Sequence, residues 1–328
     1  MVRGPEAGSP AGTDGPMARL IIGTRGSALA LRQAAQVAAA LRARHPGLEV
    51  VERVVRTAGD DSPSFPPASF ETTGVFVQRI ERALAAGEVD LAVHSLKDLP
   101  TEQPEDLVLV AVLERHDPRD ALVSLAGWTL ADLPAGTLVG TGSPRRRCQL
   151  LHHRPDLRLI PIRGNVDTRL LKLQQGELGA LVLALAGLER LGITSVPFRA
   201  LEPAQCLPAV GQGAIAVEIR RDDGVTAGLV APLNHEPSSV RVVAERAFLR
   251  RLGGGCLAPA TAHATFAGGQ LALEAIVGDA EGRALLCERE SGSPADGEIV
   301  GDRLARRLLA AGARRILEDA RSVGIRGA

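Results

Sequence analysis

The feature that most limits the fold of this chain is the alternation of short apolar runs with segments of helical period. An apolar run over 18–22 is followed by Ser27, suited to cap a helix, and by an Ala/Leu-rich stretch that ends near Pro46. This predicts strand, tight turn, helix. β-branched residues over 48–55 predict a strand, 75–86 has helical spacing closed by Gly87, and 89–93 reads as the next strand. After Pro118 the alternation resumes with a strand at 137–140, a helix following Pro144, a strand at 157–162, a helix capped by Asn165 and a buried strand at 180–184. Such alternation defines an α/β protein.

Residues 203–213, rich in Pro and Gly, read as a crossing segment, and 214–219 as a strand that returns to the first unit. From Glu236 the order changes: a helix to Arg251, a Gly-rich break, alternating strands between 261 and 290, and a final helix around 303–319. The expected organisation is a disordered tail at 1–17, an α/β domain over 18–113 with 214–232, an arginine-rich α/β domain over 118–208, and an α+β domain over 236–328.

Composition narrows the function. A chain of 328 residues, 45% hydrophobic and 23% charged, exceeds what one core usually supports. Its 38 basic and 38 acidic residues cancel, and one Trp, six Phe and no Tyr leave few stacking platforms, so no nucleic-acid partner is expected. Cys148, Cys206, Cys256 and Cys287 show neither CxxC spacing nor the density of a disulfide scaffold, which suits reduced thiols. The tail lacks the apolar run of a signal peptide, and nowhere do 18 apolar residues run uninterrupted. A cytoplasmic chain without a membrane partner is expected. There is no HExxH motif or Cys/His cluster, and the adjacent His152 and His153 would point apart on a helix, so no metal is expected.

Local chemistry lies in the arginines. Arg145, Arg146, Arg147, Arg154, Arg158, Arg163 and Arg169 fall between 141 and 169 against only Asp156 and Asp167, several at strand-to-helix junctions, and Arg25 has the same placement. Guanidinium groups there suit carboxylates or phosphates, although any single one also reads as a solvated surface charge. The run from Gly140 to Gly142 begins like a dinucleotide fingerprint but has Arg145 where the third glycine belongs, and no Walker A pattern occurs. His94, Ser95 and Asp98 lack a nucleophile elbow. The Pro-containing loop over 60–74 reads either as a functional lid or as a disordered segment. Cys256, after Gly253-Gly254-Gly255, is either an inert small hydrophobe or a thiol presented to a cleft.

Read together, TRGS from Thr24, AVHSLKDLP around Lys97, VGTGSPRRRCQL around Arg145, IRGNVDTR from Ile162, LPAVGQGA from Leu207 and GGGCLAP around Cys256 resemble the porphobilinogen deaminases, in order and from about residue 18 to the C-terminus. The resemblance implies two periplasmic-binding-protein-like α/β domains around a cleft, with a small C-terminal α+β domain carrying a dipyrromethane on Cys256 through a thioether. It implies that four porphobilinogens are added in turn, each losing ammonia, before hydrolysis releases a linear tetrapyrrole, hydroxymethylbilane, in haem biosynthesis. Asp98 matches the catalytic carboxylate. Ser95, Lys97, Thr141, Ser143, Arg145, Arg146, Arg163 and Gly164 match positions that hold the cofactor, and Arg25, Ser27, Arg169, Arg190 and Phe76 match substrate positions. Phe76 also reads as a core residue of a helix face. A monomer is expected from the resemblance alone.

The sequence departs from the family pattern at Gly26, where many members have Gln, at Ser69 and Thr73, which replace lysines, and at Gly142, which replaces a common Ser. Two other classes share some of these features. A carboxylate-binding protein of the periplasmic type would have an export signal and no need of Cys256, and a regulatory anion-binding module could lose Asp98.

Overall fold

The structure, a computed structural model, describes residues 19–55, 72–253 and 258–326. The chain opens with β1 (Arg19–Thr24), α1 (Ala28–Arg44), β2 (Glu49–Val54), α2 (Thr72–Ala85), β3 (Leu91–Ser95) and, after a tight 3-10 turn at Leu96–Asp98, β4 (Leu107–Val112). A helix carries the chain back between successive strands, so β1 pairs in parallel with both β2 and β3. Ser27 starts α1 by accepting a hydrogen bond from the Ala30 N–H at 3.3 Å. Ala34, Val37, Ala38 and Leu41, spaced three or four apart, bury the helix on the sheet.

The chain crosses to a second sheet through β5 (Asp120–Val123), β6 (Leu138–Gly140), α3 (Pro144–His153), β7 (Arg158–Ile160), α4 (Val166–Gln174), β8 (Ala180–Ala184), α5 (Leu185–Arg190) and β9 (Phe198–Leu201). It then crosses back as β10 (Ile215–Arg220), followed by α6 (Gly224–Val230). The sheet orders are β2-β1-β3-β10-β4 and β7-β6-β8-β5-β9. In each, a parallel trio meets an antiparallel fourth strand, and that strand, β10 or β5, has just crossed from the other unit. The crossings run side by side, with Leu113 N–H donating to Ile215 O at 3.0 Å and His116 N–H to Gly213 O at 3.2 Å. Movement of one unit against the other therefore has to bend this pair of segments.

The remainder forms α7 (Glu236–Leu252), an antiparallel sheet of β11 (Ala260–Ala267), β12 (Gln270–Gly278) and β13 (Leu285–Gly292), then α8 (Gly297–Leu308) and, past a π turn, α9 (Arg314–Arg326). Its core is built on Phe248, Leu273, Val300 and Leu304. Gly301 lets α8 approach α7 closely, since a Cβ there would stand 2.8 Å from the Phe248 N.

The α/β class expected from the sequence is the class observed. The sequence pattern did not mark β4, β5, β9, α5 or α6, and two further details differ. The last helix, expected at 303–319, begins at Gly297 and breaks where Gly312 takes φ 105°, a conformation that interrupts the helical ladder. Asn165 precedes α4 as expected, but its side chain makes no capping hydrogen bond. Among the described residues no helix is long and apolar enough to cross a membrane, and no group of His, Cys, Asp and Glu is placed to hold a metal ion.

Candidate active site

Parallel strands end at one edge of their sheet, and the turns after them bring loop amides and helix N-termini together. In the first unit this edge carries Arg25 and Ser27 after β1, Ser95 at the end of β3, and Lys97 and Asp98 after it. In the second it carries Thr141, Ser143, Arg145 and Arg146 after β6, and Arg163, Gly164 and Arg169 after β7. A small cavity between the units is lined by Gln33, Ser95 and Lys97 on one side and by Gly187 and Arg190 on the other. The larger cavity between β4 and α7 holds none of these expected site residues.

The hydroxyls are fixed by local structure. Ser27 and Ser143 cap α1 and α3, each accepting a backbone N–H, and Thr141 Oγ1 accepts from the Ser143 N–H at 3.3 Å. A hydroxyl that accepts in this way still has its proton to donate. Ser95 exchanges hydrogen bonds with Gln33, accepting from Nε2 at 2.8 Å and donating to Oε1 at 3.0 Å.

Arg145 and Arg146 are only 4% and 6% exposed. Both close on Asp120, the first residue of β5: Arg145 Nη1 donates to Oδ2 at 2.7 Å, and Arg146 Nη2 and Nε donate to Oδ1 at 2.6 and 3.0 Å. Arg145 also donates to Leu207 O, and Arg146 to Val182 O. Burial alone would raise the Asp120 pKa, but Arg145 and Arg146 hold it far below the usual carboxylate range. One carboxylate facing two guanidinium groups leaves the cluster cationic. Lys97 senses this: burial first, then Arg146 and Arg145 against the opposing pull of Asp98, bring its pKa down from 10.5 to about 8.

Arg163 is exposed, while Arg169, partly buried, donates to Gly164 O at 2.8 Å. Burial and Arg146 lower the Arg169 pKa and Asp98 raises it, so its charge belongs to the same field as Lys97. Arg190 donates from Nη2 to Gly213 O at 2.7 Å, and its buried Nε makes no hydrogen bond within the protein. Burial brings its pKa down to about 10. Phe76 falls on α2, as does Thr73, whereas Cys256, Ser69 and most of the 60–74 loop lie outside the described residues. Pro259, three residues after Cys256, places its carbonyl 3.9 Å from the Cys148 thiol of α3, the helix that carries Arg145 and Arg146.

Sequence reasoning did not single out Asp120 or Gln33. Asp120 did leave a signal, because an acidic residue opening the otherwise apolar DALV run must find a cationic partner when it is buried.

Fold and site together define an α/β protein whose facing strand ends build a cationic cleft. Two family models match the chain: "Porphobilinogen deaminase, dipyromethane cofactor binding domain" over residues 20–227 and "Porphobilinogen deaminase, C-terminal domain" over 239–310. Curated porphobilinogen deaminases from Desulforudis audaxviator and Trichlorobacter lovleyi are 48% and 47% identical over 303 and 301 residues, covering 92% of this chain and 98% and 96% of theirs. That of Roseiflexus castenholzii is 49% identical over 298 residues, 91% of this chain and 98% of that protein. A solved amino-acid transporter binding protein from Bacillus subtilis is similar over 66% of this chain and 90% of its own, with a TM-score of 0.42 and 10% identity. The chain belongs to the porphobilinogen deaminase family. It is a transferase of tetrapyrrole biosynthesis with a dipyrromethane cofactor, and its substrate is porphobilinogen.

Proposed function

We propose that Cys256 tethers the dipyrromethane by a thioether, that Asp98 is the catalytic carboxylate, and that Arg25, Arg145, Arg146, Arg163, Arg169 and Arg190 form the field in which cofactor and growing chain are held. The observation that carries this reading is that Lys97, beside Asp98, is hydrogen-bonded through Gln212 to Asp120, the carboxylate that holds Arg145 and Arg146. Pro259 packs on the same helix, close in sequence to Cys256. The residues fit the cofactor. A two-pyrrole unit brings acetate and propionate carboxylates, and Arg190 Nε, buried without a hydrogen bond, is a donor such an anion would satisfy. Ser27, Thr141 and Ser143 add hydroxyl donors, and the α1 and α3 N-termini favour negative charge.

When bound, the dipyrromethane supplies the pyrrole carbon to which substrate units are joined. Asp98 stabilises the positive charge that develops on the substrate as its C–N bond breaks and ammonia leaves. The arginines hold carboxylates without changing protonation, because guanidinium groups stay charged throughout the working pH range. The working state is a monomer in the cytoplasm, with domains over 18–113 plus 214–232, 118–208 and 236–328.

A carboxylate about 4 Å from a developing cation contributes on the order of 4 kcal/mol at an effective dielectric near 20, or roughly a thousandfold in rate. Asp98→Asn should therefore fold normally and form tetrapyrrole from porphobilinogen about a thousandfold more slowly in a single-turnover assay. Activity within tenfold of the parent contradicts the assignment.

A further inference from the structure

Gln212 occupies the return crossing between two glycines in left-handed conformations, Gly211 at φ 68° and Gly213 at φ 86°, and is 1% exposed. Both ends of its amide are used. Nε2 donates to Pro118 O at 2.6 Å and to Asp120 Oδ1 at 2.9 Å, with Arg119 O at 3.3 Å. Oε1 accepts from Lys97 Nζ at 3.3 Å. Its backbone carbonyl accepts from Arg115 Nε at 2.7 Å. One side chain thus touches both crossings, the carboxylate that clamps Arg145 and Arg146, and the lysine next to Asp98.

The chemistry of these partners leaves little choice of residue. Pro118 O and Asp120 only accept and the Lys97 ammonium only donates, so the group between them must donate at one end and accept at the other. An amide does this without adding charge. A carboxylate of the same size would set an acceptor against Pro118 O and Asp120, and an apolar side chain would take one acceptor from the ammonium and one donor from the carboxylate in a buried site. A one-residue change can therefore separate the two ends of the contact.

We infer that Gln212 is a positioning residue for this family's reaction: its amide ties the Lys97–Asp98 turn to Asp120 and the Arg145–Arg146 pair across both chain crossings. The inference rests on the family reading and adds to it a route by which the attitude of the two α/β units reaches the reacting centre. Gln212 acts through Lys97 and Asp120, and no contact of its own with substrate is required.

The chain contains only two lysines, Lys97 and Lys172, so protein labelled with 13C at the lysine ε-carbon gives two signals, assigned by Lys172→Arg. In the holoenzyme, Gln212→Glu should move the Lys97 midpoint to higher pH by giving the ammonium a charged partner, and Gln212→Leu should move it to lower pH by removing the acceptor. Both should lower kcat by about tenfold or more while KM for porphobilinogen changes by less than about threefold, the pattern of a group that does not bind substrate. A purely structural role would lower stability in both variants without moving the two midpoints in opposite directions. Should Gln212→Glu fail to fold, Gln212→Leu alone decides through its downward midpoint. An unmoved Lys97 midpoint, or a kcat within twofold of the parent in a folded variant, overturns the inference. An inactive parent would instead count against the family reading.

Discussion

Asp120 is the residue on which the second unit's charge is organised. Its carboxylate is fully buried and accepts from Arg145, Arg146 and Gln212. A buried ion pair gives modest net stability against an apolar equivalent, yet loss of one partner strands the other charge away from water. Asp120→Asn retains the shape but leaves two guanidinium groups facing a neutral amide. It should lower unfolding stability by about 3–5 kcal/mol in urea titration. A loss below about 1 kcal/mol would mean that Arg145 and Arg146 do not depend on this carboxylate. The thiol beside it is expected to be inert, since burial first and then Asp120 push the Cys206 pKa well above its usual range.

At the scale of elements, α2 covers a second buried cluster that the chemistry above does not use. Glu81 of α2 lies over β3 and β10 near His94 and Glu218, whose Nε2 and Oε2 are 3.2 Å apart, while Gln103 donates to the other Glu218 oxygen at 2.8 Å. Glu81 Oε1 is buried without a hydrogen bond. Burial first, then Glu218 and Asp106 against the opposing effect of His94, raise the Glu81 pKa from 4.5 to about 7. The native state then holds this proton more tightly than the unfolded chain, so the contribution of Glu81 to stability is greatest below about pH 4.5, falls as pH rises through 7, and levels off above it. Glu81→Gln should remove this dependence. It should leave stability at pH 5 nearly unchanged and raise it at pH 8 by about 1–2 kcal/mol, read from denaturant midpoints at both values. Equal effects at the two pH values would rule out Glu81 as the titrating group. The elements themselves were unequally legible. α1 announced itself through its Ser27 cap and helical spacing, and α3 through Pro144 at its start. β5 and β9, four residues each, carry too little period to be distinguished from loop, because their stability comes from pairing with β8 and with each other rather than from pattern.

Across the whole molecule, the three sheets are joined at the crossings. Arg115 of the outgoing crossing donates to both carboxylate oxygens of Glu245 on α7 at 2.7 and 3.2 Å, and Glu245 also accepts from the Gly211 and Ala264 N–H groups. Burial would raise the Glu245 pKa, yet Arg115 and His263 bring it down to about 2, so the joint stays charged across the working pH range. The α7 sheet unit is thereby tied to the hinge, and it also meets both α/β units, since Arg147 of α3 donates to Ala280 O at 2.8 Å and Arg246 of α7 donates to Pro100 O at 2.6 Å. Sequence motifs could pick out Lys97, Asp98 and the arginine turns because these residues sit at strand ends, where local pattern and chemistry coincide. They could not show Asp120, Gln212 or Arg115 as partners, because those contacts join residues up to 130 positions apart, and only the folded crossings bring them together. The account as a whole depends on a primer held covalently in this cleft. Intact-mass measurement of the purified protein, followed by digestion, tests it most directly. The parent should be heavier than its polypeptide by two porphobilinogen units less two ammonias, with the added mass on the peptide containing Cys256 and none on those with Cys148, Cys206 or Cys287, and Cys256→Ser should show the bare polypeptide mass. A fully active parent with an unmodified Cys256 would contradict the account.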